Sequence, residues 1–146
     1  MSGTDQELFN LAMSEESRPL MYAVQKHITE NVAPITDEFF ALNDEKEDRW
    51  TWHPRQTELL EGAKAKAKES GLWNFFLPDA ETGQGLNNLD YAYIAAELGK
   101  YSLASETLNC SAPDTGNMEV LERVGTPEQK DKWLTPLLNG ELRSAF

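Results

Sequence analysis

Seven apolar residues between Leu20 and Leu42 recur in steps of four and three: Leu20, Val24, Ile28, Val32, Ile35, Phe39 and Leu42. Side chains three and four positions apart share one face of a helix, whereas a strand sends every second residue to the opposite side. No stretch of similar length alternates polar with apolar, so the spacing predicts an all-α chain. Glu30, Asp37 and Glu38 fall off the stripe, as a solvated back requires. Ser17 stands where an N-cap is wanted, with Pro19 just inside the first turn. Pro34 is expected to kink this helix or divide it. A short helix through Leu8, Leu11 and Ala12 is expected ahead of it.

The same reading continues along the chain. A second helix is expected over 54–70, opened by Pro54, ended by Gly71 and buried along Leu59, Leu60, Ala63 and Ala67. The aromatic-rich stretch 72–78, closed by Pro78, is too short for a helix and predicts an extended buried segment. Residues 79–88, with Gly83 and Gly85, predict a loop. Asn87 or Asn88 is expected to cap a helix over 89–98 that ends at Gly99. Ser111-Ala112-Pro113-Asp114 has the form of a capping box, ahead of a helix carrying Met118, Val120, Leu121 and Val124 to Gly125. Thr126-Pro127-Glu128-Gln129 repeats the form before a helix that buries Trp133, Leu134, Leu137 and Leu138 and ends near Gly140.

Composition narrows the function classes. At 146 residues with 40% apolar side chains and no Pro/Gly/Ser-rich linker, the chain predicts one domain with a packed core. Residues 1–50 hold 11 acidic against 4 basic groups, and the whole chain carries a net charge of −12. Such a surface has no basic stripe to displace counterions, which disfavours nucleic acid and anionic membrane as partners. No run approaches the roughly 18 apolar residues of a membrane span, and MSGTDQELFN is not a cationic-then-apolar signal. The single cysteine, Cys110, forbids an internal disulfide and fits a reducing, cytoplasmic setting.

Local motifs for chemistry are sparse. His27 and His53 belong to no Glu-x-x-His or His-x-x-x-His pair, so both are expected to be structural or at the surface, and no metal site is expected. Gly83-Gln84-Gly85 lacks the third glycine of a dinucleotide fingerprint. Cys110 has no histidine beside it and is expected to be a buried structural thiol. The Asn109-Cys110-Ser111 glycosylation pattern is expected to be accidental. Most of the carboxylates belong to the solvated face.

The specific signal is an ordered series of short motifs. It begins with Leu77-Pro78 and a glycine-bearing loop, then Asp90-Tyr91-Ala92 leading to Glu97-Leu98-Gly99. It continues through Asn109-Cys110-Ser111-Ala112-Pro113-Asp114-Thr115-Gly116-Asn117-Met118-Glu119 and Gly125-Thr126-Pro127-Glu128-Gln129-Lys130 with Trp133-Leu134. It closes with Gly140-Glu141-Leu142-Arg143-Ser144-Ala145-Phe146. In this order the series resembles the acyl-CoA dehydrogenase family, flavoproteins that oxidise acyl-CoA thioesters to enoyl-CoA. The stretch from Asn109 to Glu119 looks most like a long-chain-type branch found in bacteria and, in animals, fused to a kinase-like domain.

That resemblance implies an N-terminal helical bundle over residues 1–140, with 141–146 as the first residues of a middle β-domain where the chain is cut short. It implies FAD, acyl-CoA and an electron-transfer flavoprotein as cofactor, substrate and partner of the parent enzyme, and a homo-oligomer. The flavin-holding segment would start at Phe146. The carboxylate base would lie in a C-terminal bundle, leaving no catalytic residue here and an inactive fragment. The acyl-tail wall would run through Leu108, Ser111, Ala112 and Thr115, whose i, i+3, i+4, i+7 spacing suits one helix face. Small side chains at Ser111 and Ala112 would leave room for a long tail. The alternative is a stand-alone helical interaction module without flavin or catalysis. An acyl-CoA or acyl-carrier binding protein is disfavoured, because the acidic surface repels CoA phosphates.

Overall fold

The stripe from Leu20 to Leu42 builds one long helical rod. The computed structural model describes residues 11–79 and 82–145. In it the rod comprises α1 (Arg18–His27), a wide five-residue turn (Ile28–Val32), α2 (Ala33–Ala41) and a 3-10 turn (Leu42–Glu45). Val24, Ile28, Val32, Phe39 and Leu42 are buried, and Leu20 and Ile35 pack against them half-buried. Pro34 divides the rod by widening a turn rather than by opening a break. A proline lacks the N–H of the ladder and crowds the carbonyl four residues back. Here the Ala33 N–H reaches back five residues to Ile28 O, and the helix resumes beyond it.

Two expectations at the start of the rod need correcting. Ser17 occupies the N-cap position but makes no side-chain cap. Its hydroxyl donates instead to Asp90 Oδ2 at 2.9 Å, a charge-assisted bond stronger than the neutral one it would accept from a helix N–H. Leu11 and Ala12 are exposed and not helical, while Leu8 lies outside the described residues. Ser14 also turns to Asp90, through its backbone N–H at 2.8 Å and its hydroxyl at 2.7 Å.

Helix α3 (Pro54–Glu69) follows, with Leu59, Leu60, Ala63 and Ala67 buried as its pattern predicts. Its cap is His53: Nδ1 accepts from the Arg55 N–H at 3.1 Å, and Gln56 returns a bond to the His53 N–H at 3.1 Å. Gly71, at φ +69°, takes the left-handed turn that ends the helix. Beyond it Leu72, Phe75, Phe76 and Leu77 are buried as expected, but the segment is turned rather than extended. Asn74 sits at φ +60°. Trp73 Nε1 and Asn74 Nδ2 both donate to Leu138 O, at 2.7 and 2.9 Å. Consecutive side chains of a strand point to opposite faces and would not meet one carbonyl.

The loop at 79–88 owes its course to Gly83, where a Cβ would stand 2.1 Å from Leu77 O. Helix α4 (Asn88–Leu98) is capped by Asn87, which accepts from the Asp90 N–H at 2.9 Å. A one-turn helix, α5 (Ala104–Thr107), comes next and stops short of the helix that the acyl-tail wall across Asn109 would need. Helix α6 (Asp114–Val124) has Pro113, not Ser111, at its N-cap and no side-chain cap. Its Met118 is buried and Leu121 half-buried, but Val120 and Val124 face outward. The second capping box is as predicted: Thr126 and Gln129 exchange bonds of 2.9 and 3.3 Å at the start of α7 (Pro127–Gln129). A second wide turn (Lys130–Leu134) leads to α8 (Thr135–Asn139), with Pro136 two residues past it, as Pro34 follows the first. Leu134 and Leu137 are buried, Leu138 is half-buried, and Trp133 stays exposed.

The rod packs along α3 and α4, and α5 sits at the centre against α3, α4 and the first wide turn. Helix α6 packs on the second wide turn and α8. One apolar cluster joins these contacts, from Val24 through Phe75, Ile94 and Leu108 to Leu137. No described residue is in a strand, and no described helix is long and apolar enough to cross a membrane.

Candidate functional site

Where α2, α3 and α5 converge, they leave a cleft of about 490 Å³. Its apolar side is Phe39, Trp52, Leu60 and Leu103, with Phe39 and Trp52 edge to face at 5.4 Å between centroids. Edge-to-face packing presents a ring edge to the neighbouring π-face and fixes both rings. Ser111 stands at the rim. The opposite wall is ionic, built from Lys64, Glu106 and Arg143.

Lys64 follows Leu60 by one helical turn, so α3 brings an apolar and a cationic group to the same cleft. Its Nζ lies 3.0 Å from Glu61 and 2.9 Å from Glu106, with the side chain only 10% exposed. Glu106 also receives Arg143 Nη2. Arg143 Nη1 donates to Asn109 Oδ1 at 3.0 Å and to Asp114 Oδ2 at 3.2 Å. The other oxygen of Asp114 accepts from the Ser144 N–H at 2.7 Å and hydroxyl at 2.5 Å. Asn117 Nδ2 completes the set by donating to Ser144 Oγ at 2.7 Å. The wall therefore fastens residues 143 and 144 to α5 and α6.

A buried amide pair supports this wall from behind. Asn109, at φ +59°, donates through Nδ2 to Asn74 Oδ1 at 2.7 Å and to Leu137 O at 3.0 Å. With its oxygen on Arg143, the amide links three segments in one side chain. Asparagine tolerates the left-handed region better than other non-glycine residues, which suits it to both turns.

The four residues of the expected acyl-tail wall do not share a helix face. Helix α5 ends at Thr107 and α6 begins at Asp114, with the left-handed Asn109 between them. Leu108 is fully buried in the core, Ser111 is half-buried at the cleft, Ala112 is exposed and Thr115 is half-buried in the first turn of α6. Phe146 lies outside the described residues. Lys64 and Glu106 escaped the sequence reading, and Arg143 entered it only within a family motif, because each looks like an ordinary surface charge until the fold joins positions 64, 106 and 143.

His27 and Cys110 turn inward. His27 Nε2 lies 3.0 Å from Thr107 Oγ1, whose single hydroxyl proton goes to Ala104 O at 2.8 Å. The histidine is therefore the donor, and Nδ1 accepts from Asn31 at 3.4 Å: a neutral ring with its proton on Nε2. Burial pushes its pKa below the ordinary value. Cys110 is buried, and desolvation, with Glu106 adding to it, pushes the thiol up to about 12. Such a thiol is no nucleophile at neutral pH. Among the described residues no three His, Cys, Asp or Glu side chains cluster as metal ligands.

Every buried side-chain nitrogen and oxygen among the described residues already has a partner. None is left aimed at a bound flavin, and Gly83 packs on Leu77 rather than opening a phosphate cradle.

An all-helical bundle with a cleft at the meeting of three helices, closed by a segment leaving its last helix, is the class of domain that these features define. Residues 14–141 match the family model described as acyl-CoA dehydrogenase, N-terminal domain. The chain belongs to the acyl-CoA dehydrogenase family, as its N-terminal helical domain. It is 44% identical over 139 residues to acyl-CoA dehydrogenase family member 10 of Mus musculus, covering 92% of this chain and 12% of that protein. It is 43% identical over 146 residues to acyl-CoA dehydrogenase family member 11 of Gallus gallus, covering 98% of this chain and 18% of that protein. A solved chain from Mycobacterium abscessus, assigned to the acyl-CoA dehydrogenases, superposes with a TM-score of 0.82 at 43% identity, over 92% of this chain and 34% of that one. The chain thus spans less than a fifth of the length of either curated relative.

Proposed function

We propose that this chain is the N-terminal helical wall of an FAD-dependent enzyme that introduces an α,β double bond into acyl-CoA thioesters. Its own contribution is one side of the acyl-tail pocket. The observation that carries this reading is the cleft: an apolar side of Phe39, Trp52, Leu60 and Leu103 with the small Ser111 at its rim. Removing a proton beside a thioester demands a dry site and an acyl chain held in line, and a rigid helical wall supplies both. In this proposal Ala112 and Thr115 continue the wall from Ser111 toward the neighbouring domain, and Leu108 backs it from the core. Residues 141–145 begin the middle β-domain, and Phe146 opens the segment that touches the flavin.

The base and the flavin belong to other parts of the parent, so the 146 residues alone do not turn over. Long-chain acyl-CoA, an electron-transfer flavoprotein as acceptor, a homo-oligomeric parent and a reducing, cytoplasmic compartment complete the proposal. The purified 146-residue chain should be colourless and inactive toward palmitoyl-CoA with a dye acceptor. A longer gene product that contains these residues should purify yellow and reduce the dye. A colourless longer product would rule the reading out.

A further inference from the structure

The cleft ends on Arg143, and Arg143 belongs to a second cavity as well. That one is an apolar groove of about 350 Å³, formed by Val120, Leu121, Trp133, Leu137 and Leu142. The residues on either side of Arg143, Leu142 and Ser144, both line the groove. Its guanidinium is held from three places: Glu106 on α5, Asn109 in the turn and Asp114 on α6. Swinging it aside would leave the buried Asp114 without its cation and take one of two cations from Glu106, which keeps Lys64, an arrangement that resists a passing methylene chain. A polar bar thus stands between two apolar spaces.

We propose that Arg143 is a specificity-determining partition: it stops an acyl tail in the cleft from running into the groove, and so sets the longest chain the cleft accepts. The inference rests on the reading of the cleft as acyl-tail pocket. Each methylene that leaves water for an apolar wall strengthens binding by about fourfold. A tail that fills the cleft gains nothing from further methylenes until the bar is removed.

Saturated acyl-CoAs from hexanoyl to stearoyl test this by calorimetry on the longer gene product that contains these residues. The wild type should show affinity rising with chain length and then reaching a plateau. Arg143→Ala should move the plateau to longer chains, with at least a tenfold gain for stearoyl-CoA and less than a twofold change for hexanoyl-CoA. Trp133→Ala, which enlarges the groove but keeps the bar, should leave the plateau in place. A measurement on the unaltered chain guards against a variant that fails to fold. Stearoyl-CoA with a terminal diazirine should photolabel cleft residues and spare Trp133 and Leu142. Label on Trp133, or a plateau unmoved by Arg143→Ala, overturns the partition while leaving the pocket intact. No binding at any chain length defeats the pocket itself and the partition with it.

Discussion

Two buried carboxylates anchor two outlying segments of this domain, and they do so by different physics. Asp90 holds residues 14 and 17 to α4 with neutral donors only: the Ser14 N–H and hydroxyl, the Ser17 hydroxyl and Asn87 Nδ2. Asp114 holds residues 143 and 144 with a guanidinium on one oxygen and the Ser144 donors on the other. Burial acts to raise the Asp90 carboxyl, but the bonds from Ser14, Ser17 and Asn87 outweigh it and hold the group below its usual value. A carboxylate satisfied by neutral groups carries its charge into the interior and depends on every bond. One that shares a partly exposed arginine with Glu106 has a neighbour to lean on. The first is a structural rivet; the second is a fastening beside a cleft, where a ligand or a neighbouring domain would be felt.

The comparison is broken most directly by deleting each carboxylate. Asp90→Ala should cost about 3 kcal/mol in urea unfolding, since it strands several donors at once. Asp114→Ala should cost about 1 to 2 kcal/mol, because Glu106 still neutralises a half-exposed Arg143. If the order came out reversed, the distinction would fail. Salt sharpens it. At about 1 M NaCl the screening length shrinks to about 3 Å, so the Asp114→Ala penalty should fall by a measurable fraction while the Asp90→Ala penalty holds.

Acid gives a gentler separation. Asp90 has a folded pKa below its unfolded one, so the unfolded chain takes up the proton first. Its contribution is complete above about pH 4 and is lost as pH falls toward the folded value. His27 also has a lowered folded pKa, but it is a base kept neutral by burial. The unfolded ring protonates below about pH 6.5, so stability declines from there toward the folded value. Unfolding curves between pH 3 and 7 should therefore show two descending steps, with His27→Gln erasing the upper and Asp90→Ala the lower. The smallest effect is a control touching neither anchor. His53→Ala removes the α3 cap, should cost about 1 kcal/mol or less, and should leave the salt response unchanged.

Elements whose signals are local were legible in the chain. The stripe of the rod, the buried face of α3 and the Thr126 capping box follow from spacing and cap chemistry within a few residues. The failures share a cause. Ser17 looks like a cap and Ser111 to Asp114 like a capping box, but Ser17 and Asp114 are engaged by partners far away in sequence, Asp90 and Ser144. Asn74 and Asn109 take left-handed turns to reach the far end of α8, which no local pattern announces. The same turn at Asn109 defeated the helical spacing of Leu108, Ser111, Ala112 and Thr115. Of the cleft's lining only Ser111 was expected as a pocket residue, Phe39 and Leu60 being read as helix core, because the ionic wall is a product of tertiary assembly.

The wide turn at Ile28–Val32 has a consequence for tolerance to insertion and deletion. Ordinary helix advances about 100° per residue, so each four-residue step overshoots a full circle by about 40°. Three such steps, Leu20 to Val24 to Ile28 to Val32, would swing an unbroken helix well around its axis. The three-residue steps, Val32 to Ile35 and Phe39 to Leu42, each turn back about 60°, and the loosened turn trims the overshoot between them. The loop of backbone works as a one-residue register store, and spending it would be visible. Deleting Thr29 should tighten the turn into regular helix, while adding a residue elsewhere in the rod would turn one end about 100° and leave Phe39 and Trp52 unable to meet.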